Sequence, residues 1–414
     1  MLLAALGCAA PTCAAAQQTL SSLLSVQFVG NVGYLQQFST AKSLGVRNVR
    51  IAVRANDVVD RMGRYSWTLA DARIQPLIRA GIRPIITIYG APPAAVASGD
   101  PKRLADAYAD FAGQTVHHFG AQAAGRPIIY EFWNEPNTKT FWGSAPNPEA
   151  YAAMALSACQ AVRRSTPGAV VVGLAMEGTP VKAPYVVPAY KIDIYREWAA
   201  RAYTADLASC LDGVSMHPYR GAPESYISDE PGFAAFLARS WRKPRPPLVA
   251  NTEWGYAVNQ KKGFGEAQQA AMDLRAALIG ASFQRVTNLY MAVDPNTPGA
   301  DPLDGFGLVT SAGADKAAAK ALRTLLKSVG PCEPERVKEL PGKTGVFAVR
   351  FRCPPGSGSS QPIAVWTARG SGEVGAAELT ATPSAQVVDL VTGERRPLGA
   401  SIAVSETPVL VVPK

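Results

Sequence analysis

Eight short apolar runs punctuate the chain between residues 24 and 294, separated by longer stretches of mixed polarity. They are LSVQFVG (24–30), VRNVRIAVR (46–54), RPIITIYG (83–90), RPIIYEFW (126–133), AVVVGLAM (169–176), LDGVSMHPY (211–219), PPLVANTEWG (246–255) and RVTNLYMAVD (285–294). Their β-branched and aromatic content predicts strands buried on both faces. Between them, PKRLADAYADFAGQTVHHF (101–119) and NPEAYAAMALSACQAVRR (147–164) carry helical periodicity and run into Gly or Pro. Strands alternating with helices in this number predict a (β/α)8 TIM barrel, for which about 250 residues is typical before insertions. A doubly wound open sheet would alternate in the same way, but no Gly-rich dinucleotide loop follows the first strand.

The rhythm changes after ADKAAAKALRTLLKSVG (314–330), which reads as the last barrel helix. TGVFAVRFRC, QPIAVWTARG, AQVVDLVTGERRPLG and SETPVLVVP are short strands joined by Gly or Pro turns with no helix between them. The expected organisation is therefore a barrel over 17–330 and a small antiparallel β-sandwich over 331–414. PPGSGSSQP (354–362) reads as a flexible connection inside the second unit.

A chain of 414 residues with 48% apolar residues, 33 prolines and 36 glycines has ample core and a loop-rich surface. Its start, MLLAALGCAAPTCAAAQQ, is too short to span a bilayer and ends in the A-x-A pattern Ala14-Ala15-Ala16. Residues 1–16 thus read as a signal peptide without a basic start, which implies a secreted or periplasmic protein. An alanine-rich helix is the plain alternative, and a lipid anchor through Cys8 is a third reading. Cleavage after Ala16 would remove Cys8 and Cys13 and leave four cysteines: Cys159, Cys210, Cys332 and Cys353. Cys332 and Cys353 bracket a hairpin-like stretch and suit a disulfide in an oxidising compartment. For Cys159 and Cys210, a bridge and ordinary buried thiols both remain open. Nine Lys or Arg against eight Asp or Glu leave +1 on residues 331–414, so +8 of the net +9 lies earlier. The basic residues are scattered and no nucleic-acid motif accompanies them, so a solvated basic surface is expected rather than a nucleic-acid partner.

The chemistry concentrates at strand ends. Glu135 follows the apolar run IIYEFWN and stands directly before Pro136, and Glu253 ends the run VANTEW. Carboxylates are seldom buried without a partner, and in a TIM barrel the C-terminal ends of the strands carry the active site. Two carboxylates at one barrel mouth are what glycoside hydrolysis requires. A rim salt bridge would explain either Glu alone. Glu131, four residues before Glu135, is expected ~13 Å deeper by the strand rise and paired inside the barrel. The three histidines offer no ligand cluster, His117 and His118 being neighbours on one helix, so neither metal nor cofactor is expected.

WNEPN at 133–137 resembles the strand-4 signature of the large clan of retaining (β/α)8 glycoside hydrolases, and NTEWG resembles its strand-7 segment. MHPY (216–219), GRYSWTLADARIQPLIRAGIRPIITI (63–88) and the helix and β-domain after DGFGLV extend the likeness over most of residues 25–414. Within the clan the chain is most similar to the β-xylosidase and bacterial exopolysaccharide-hydrolase family, glycoside hydrolase family 39. That resemblance implies Glu135 as acid/base and Glu253 as nucleophile. Asn134 would bind the sugar 2-hydroxyl, Arg50 would orient the nucleophile, and His217 and Tyr219 would form the strand-6 pair, with Tyr219 donating to Glu253.

One departure stands out. Related enzymes often place a Trp on strand 8 under the sugar, where this chain has Tyr290 and Met291. Tyr290, Trp142 and Trp254 are the candidate sugar platforms. The short loops after strands 1 and 2 favour an open groove and internal cleavage of an extracellular polysaccharide or oligosaccharide. An exo-acting β-xylosidase-like enzyme, or a carbohydrate-binding protein on an inactive scaffold, are the alternatives.

Overall fold

In the computed structural model the eight apolar runs close into one parallel barrel. The structure describes residues 18–98, 100–123, 125–181, 192–259, 264–295, 304–355, 361–379 and 384–413. The proposed leader and most of the 354–362 connection lie outside them. The barrel strands are β1 (Leu24–Gln27), β2 (Asn48–Arg54), β3 (Arg83–Tyr89), β4 (Ile129–Phe132), β5 (Val170–Glu177), β6 (Gly213–His217), β7 (Leu248–Trp254) and β8 (Val286–Leu289). Each pairs with its sequence neighbours, and β1 closes the ring by pairing with both β2 and β8. Ile85, Ile129, Val172, Ala250 and Val286, from five strands, make an apolar cluster of their own. Two residues further along their strands, Thr87 and Glu131 begin a polar layer. The apolar runs thus seal the lower barrel, and the side chains above them are free for chemistry.

The outer ring consists of α1 (Tyr34–Leu44), α2 (Thr68–Arg79), α3 (Pro101–Phe119), α4 (Pro148–Ser165), α5 (Ile192–Ala202), α6 (Glu230–Ser240), α7 (Glu266–Ser282) and α8 (Ala317–Val329). Local sequence sets several of their starts. Asp100 and Asn147 cap α3 and α4 by accepting from Lys102 N and Ala150 N, each with Pro as the first helical residue. At Gly113 α3 packs against Ala161 of α4, where an added Cβ would sit 3.5 Å from that of Ala161, an ordinary contact distance.

Two barrel strands carry an extra residue near the mouth. On β5, Leu174 faces Ser215 and Met176 faces Met216, and the bulge is absorbed by left-handed backbone at Leu174 (φ 72°) and Ala175 (φ 40°). On β7, Asn251 faces Thr287 while Trp254 faces Leu289, so one residue among 252–253 is extra. Bulges re-aim side chains and favour the surroundings of active sites.

The C-terminal strands are β9 (Glu333–Pro334), β10 (Lys338–Glu339), β11 (Val346–Arg352), β12 (Ile363–Thr367), β13 (Ser371–Gly375), β14 (Gln386–Asp389), β15 (Arg395–Pro397), β16 (Ser401–Ser405) and β17 (Val409–Val412). The larger antiparallel sheet runs β9-β11-β12-β17-β14-β15 with β10 also on β11, and β13 pairs with β16. Alternation along β11 divides its side chains. Val346 and Ala348 enter the sandwich core with Val374, Ile402 and Val404, while Val349 and Phe351 join the barrel's own core. This contact explains why α7 is buried along almost its whole length. Arg275 of α7 donates to Thr367 O and Ala368 O, and Trp366 donates to Glu224 at 2.8 Å. Both cysteine pairs, Cys159–Cys210 and Cys332–Cys353, form disulfides. Among the described residues no helix is long and apolar enough to cross a membrane.

Candidate active site

At the barrel mouth one buried guanidinium organises three strands. Arg50, on β2 and 2% exposed, donates through Nε and Nη2 to Glu131 Oε2 at 2.8 and 2.5 Å, and through Nη1 to Glu253 Oε1 at 2.5 Å. Nη1 also reaches Gln27 Oε1 (3.0 Å), and Nη2 reaches Asn134 Oδ1 (2.8 Å). Only a planar five-donor fork can serve so many acceptors at once. Burial works against its charge, but Glu131 and Glu253 outweigh that and hold Arg50 protonated beyond its ordinary value. Glu131 is fully buried; despite desolvation, Arg50 and then His217 keep it below the usual carboxylate range, and Thr87 adds a 2.8 Å hydrogen bond.

Glu131 is therefore paired inside the barrel, as expected, but the estimated depth between it and the mouth is too large. One guanidinium spans from it to Glu253. The strand-rise estimate assumed an extended chain through residue 135, whereas Trp133 (φ 68°) and Glu135 (φ 43°) are left-handed and fold the segment back.

The second carboxylate is held differently. Glu135 N donates to Ala175 O (2.8 Å), so the bulge of β5 anchors its backbone. Its Oε1 lies 2.7 Å from Nδ1 of the fully buried His217, and the same nitrogen is 3.7 Å from Glu253 Oε2. One ligand atom each of Glu135, His217 and Glu253 lie within 4.8 Å of one another. That trio could contact a cation, but Arg50 already supplies a positive donor to Glu253, and the His217 ring nitrogen is engaged with Glu135. Burial raises Glu135 above the ordinary carboxyl value; His217 opposes this, and the charges of Glu253 and Glu177 add to it. Burial would lower His217, but Glu253 and Glu135 outweigh it and raise the imidazole. Tyr219 donates to Glu253 Oε2 at 3.3 Å, and burial followed by the charge of Glu253 raises its hydroxyl far above the ordinary value, which keeps it a donor.

The candidate platforms fare unequally. Trp142 ends a short helix capped by Thr138 and is half-buried, its ring tilted 60° against Trp133 at 5.4 Å. Tyr290 is half-buried and meets Phe306 edge-on at 5.5 Å; Phe306 also meets Tyr219 at 6.4 Å. Trp254 does not reach the mouth. It is fully buried against Tyr226 and donates to Tyr256 OH at 3.2 Å, because the residue after an inward-facing Glu253 points to the helix layer. It is withdrawn as a sugar platform.

Two residues at the mouth were not anticipated. Phe306 lies between two tyrosines from separate strands, a meeting that only the closed barrel creates. Glu177, the last residue of β5, accepts from Tyr195 OH, and its backbone is clamped by the Asn137 side chain at 2.9 and 3.0 Å. The bulge preceding Glu177 hid its facing from simple alternation.

No protein-family model matches this chain, and no curated protein matches it. Solved structures do. A family 39 glycoside hydrolase from the gut symbiont Bacteroides cellulosilyticus WH2 aligns with TM-score 0.70 and 17% identity over 95% of this chain and 81% of that one. A GH39 β-xylosidase from Caulobacter crescentus aligns with TM-score 0.67 and 18% identity, covering 96% and 97%. A GH30 endoxylanase from Clostridium papyrosolvens C71 gives 0.61 and 12%, again covering 96% and 97%. The shared feature is the fold: an eight-stranded parallel barrel that carries a β-domain.

Proposed function

We propose that the chain is a retaining glycoside hydrolase that cleaves β-linked polysaccharide or oligosaccharide. The observation that carries this reading is the unequal treatment of two carboxylates at one mouth. Glu253 is bound by the Arg50 guanidinium and Tyr219, whereas Glu135 is buried against His217 with its proton affinity raised. An oxygen of each lies within 4.8 Å of the same imidazole nitrogen and of the other. That favours the ~5–5.5 Å carboxyl spacing of double displacement over the ~6.5–9.5 Å gap that leaves room for a water.

In the first step a Glu253 oxygen attacks the anomeric carbon as the glycosidic C–O bond breaks, and Glu135 gives its proton to the departing oxygen. The new ester neutralises Glu253, which removes one of the charges that raise Glu135. Glu135, now a carboxylate, takes a proton from water, whose oxygen displaces Glu253 and restores both groups. Arg50 occupies Asn134 Oδ1, which leaves the Asn134 amide N–H groups for a sugar hydroxyl. Trp142 and Tyr290 supply ring faces.

Two disulfides suit an oxidising compartment, which agrees with export as the location. The likeness to a β-xylosidase supports an exo-acting variant of the same chemistry, and the likeness to an endoxylanase supports internal cleavage. The short β1 and β2 loops incline the reading to the latter. Incubation with a panel of aryl β-glycosides, with the first-formed anomer read by NMR, tests the assignment. Retained configuration is expected. Inversion would overturn double displacement, and absence of all turnover alongside oligosaccharide binding would favour an inactive carbohydrate-binding scaffold.

A further inference from the structure

A third carboxylate faces the mouth. In the β5–β6 ladder Glu177 is the register partner of His217, and laterally paired residues share a face of the sheet. His217 faces inward, since its Nδ1 reaches Glu135 and Glu253; Glu177 therefore faces inward beside it. Residues 135–137 zip along the same strand end, Glu135 N to Ala175 O at 2.8 Å and the Asn137 amide to both Glu177 backbone groups at 2.9 and 3.0 Å. Glu177 is thus locked to the proton donor's flank. Its Oε2 accepts from Tyr195 OH of α5, and as a half-buried carboxylate it keeps acceptor capacity at Oε1.

Asn137 and Tyr195, the two side chains that hold Glu177, also stand in the wall of a cavity of 190 Å³, with Ile194, Trp198, Glu197 and Arg201 among its other lining residues. Trp198 is 5% exposed, and its Nε1 has no hydrogen-bond partner among the described residues. Ile194 is 59% exposed, an apolar side chain left open at the rim. A rigid carboxylate acceptor, aromatic walls and an unsatisfied indole N–H are the ingredients of a sugar subsite, in which polar groups fix hydroxyls and rings cover C–H faces.

Resting on the glycosidase reading above, we propose that Glu177, with Tyr195, Asn137 and Trp198, forms a leaving-group subsite that binds a sugar residue departing from Glu135. Glu177 accepts from a hydroxyl of that sugar, and Tyr195 and Asn137 hold it in place. The enzyme then prefers a carbohydrate to an aryl leaving group at equal glycone, as internal cleavage of a chain requires.

The test compares kcat/KM for two substrates with the same glycone, the best aryl glycoside of the panel and the corresponding β-linked disaccharide or trisaccharide, in wild type, Glu177→Gln and Tyr195→Phe. Exchanging the charged acceptor for a neutral amide weakens the hydrogen bond that a substrate hydroxyl donates to Glu177 and is expected to lower the oligosaccharide-to-aryl ratio about 10-fold in Glu177→Gln, with a smaller fall in Tyr195→Phe. Transfer of the glycosyl group to added sugar acceptor should decline in parallel, which a general folding defect would not produce, since the ratio cancels the active fraction. A ratio and a transfer yield unchanged in both variants would overturn the subsite while leaving the hydrolase assignment intact. Wild-type inactivity on every glycoside would overturn the assignment on which it rests.

Discussion

Replacing Arg50 by Met separates what that residue does for folding from what it does for chemistry. Arg50 is buried and its partner Glu131 is wholly buried, so the substitution strands a carboxylate inside the barrel with neutral hydroxyls such as that of Thr87, but no guanidinium, to hold its charge. Breaking a buried pair from one side costs about 3–5 kcal/mol, whereas replacing both partners by well-packed apolar residues is often neutral or better. Against a total stability of about 5–15 kcal/mol, the single variant should lose a large fraction of its folding free energy. Arg50→Met/Glu131→Met should recover most of it. Glu253 is less buried than Glu131, with 13% of its side chain exposed, and water can replace part of what it loses.

Activity should follow a different course. With Arg50 gone, Glu253 keeps the Tyr219 hydroxyl and the more distant His217 nitrogen among the described residues, and Asn134 loses the bond that orients its amide. Removal of one preorganised donor at a reacting centre costs about 10²–10³ in kcat, and the double variant leaves that donor absent. Denaturant titration and aryl glycoside kinetics on the three proteins check both halves. The reasoning fails if Arg50→Met unfolds within about 1 kcal/mol of wild type, or if the double variant regains activity together with stability.

Other outcomes follow from the same geometry. Glu253→Gln should abolish turnover of every substrate, whereas Glu135→Ala should retain activity on dinitrophenyl glycosides and yield a retained glycosyl azide when azide is added; equal losses on that substrate, with deglycosylation not limiting, would void the role assignment. Glu135 has its proton affinity raised in the folded state, so the native chain binds a proton that the unfolded chain releases, and stability falls as pH rises from the ordinary value of 4.5 through the folded one. Glu135→Gln removes that loss, so its gain in Tm over wild type should be larger at pH 8 than at pH 4; calorimetry showing the reverse order would contradict burial as the cause. Early digestion products of a susceptible polysaccharide should form an oligosaccharide ladder with a rapid fall in viscosity, and release of monosaccharide alone would mean that the cleft is closed at one end.

How far the site could be read from the sequence depended on whether a residue's direction is a local property. Glu135 and Glu253 were legible because an apolar strand that ends on a carboxylate is a local anomaly, and in a barrel the strand end is the mouth. Glu131 was legible as an inward residue from its spacing to Glu135, and Arg50 from the family resemblance, but not as a shared pair, because their contact joins β2 to β4 across the barrel interior. The β-sandwich was legible from its turns, although β13, with two glycines and one buried residue, and β16, with two buried residues, carried too weak a pattern to be picked out.

The bulges mark where local reading stopped. Alternation counted back from an inward Glu253 turns Thr252 outward, yet Thr252 is fully buried and close enough to Glu131 to favour its charged form. The extra residue in β7 lets 252 and 253 both serve the barrel interior and returns Trp254 to the helix layer, where it braces the strand against Tyr226. In β5 the extra residue does a second job: Ala175 offers its carbonyl to Glu135 N, and the strand end then presents Glu177 beside His217. Both irregularities thus stand behind one member of the carboxylate pair. An apolar pattern encodes a regular ladder and cannot encode its exceptions, so the positions that alternation misassigned are those where the barrel departs from regularity to aim its acids.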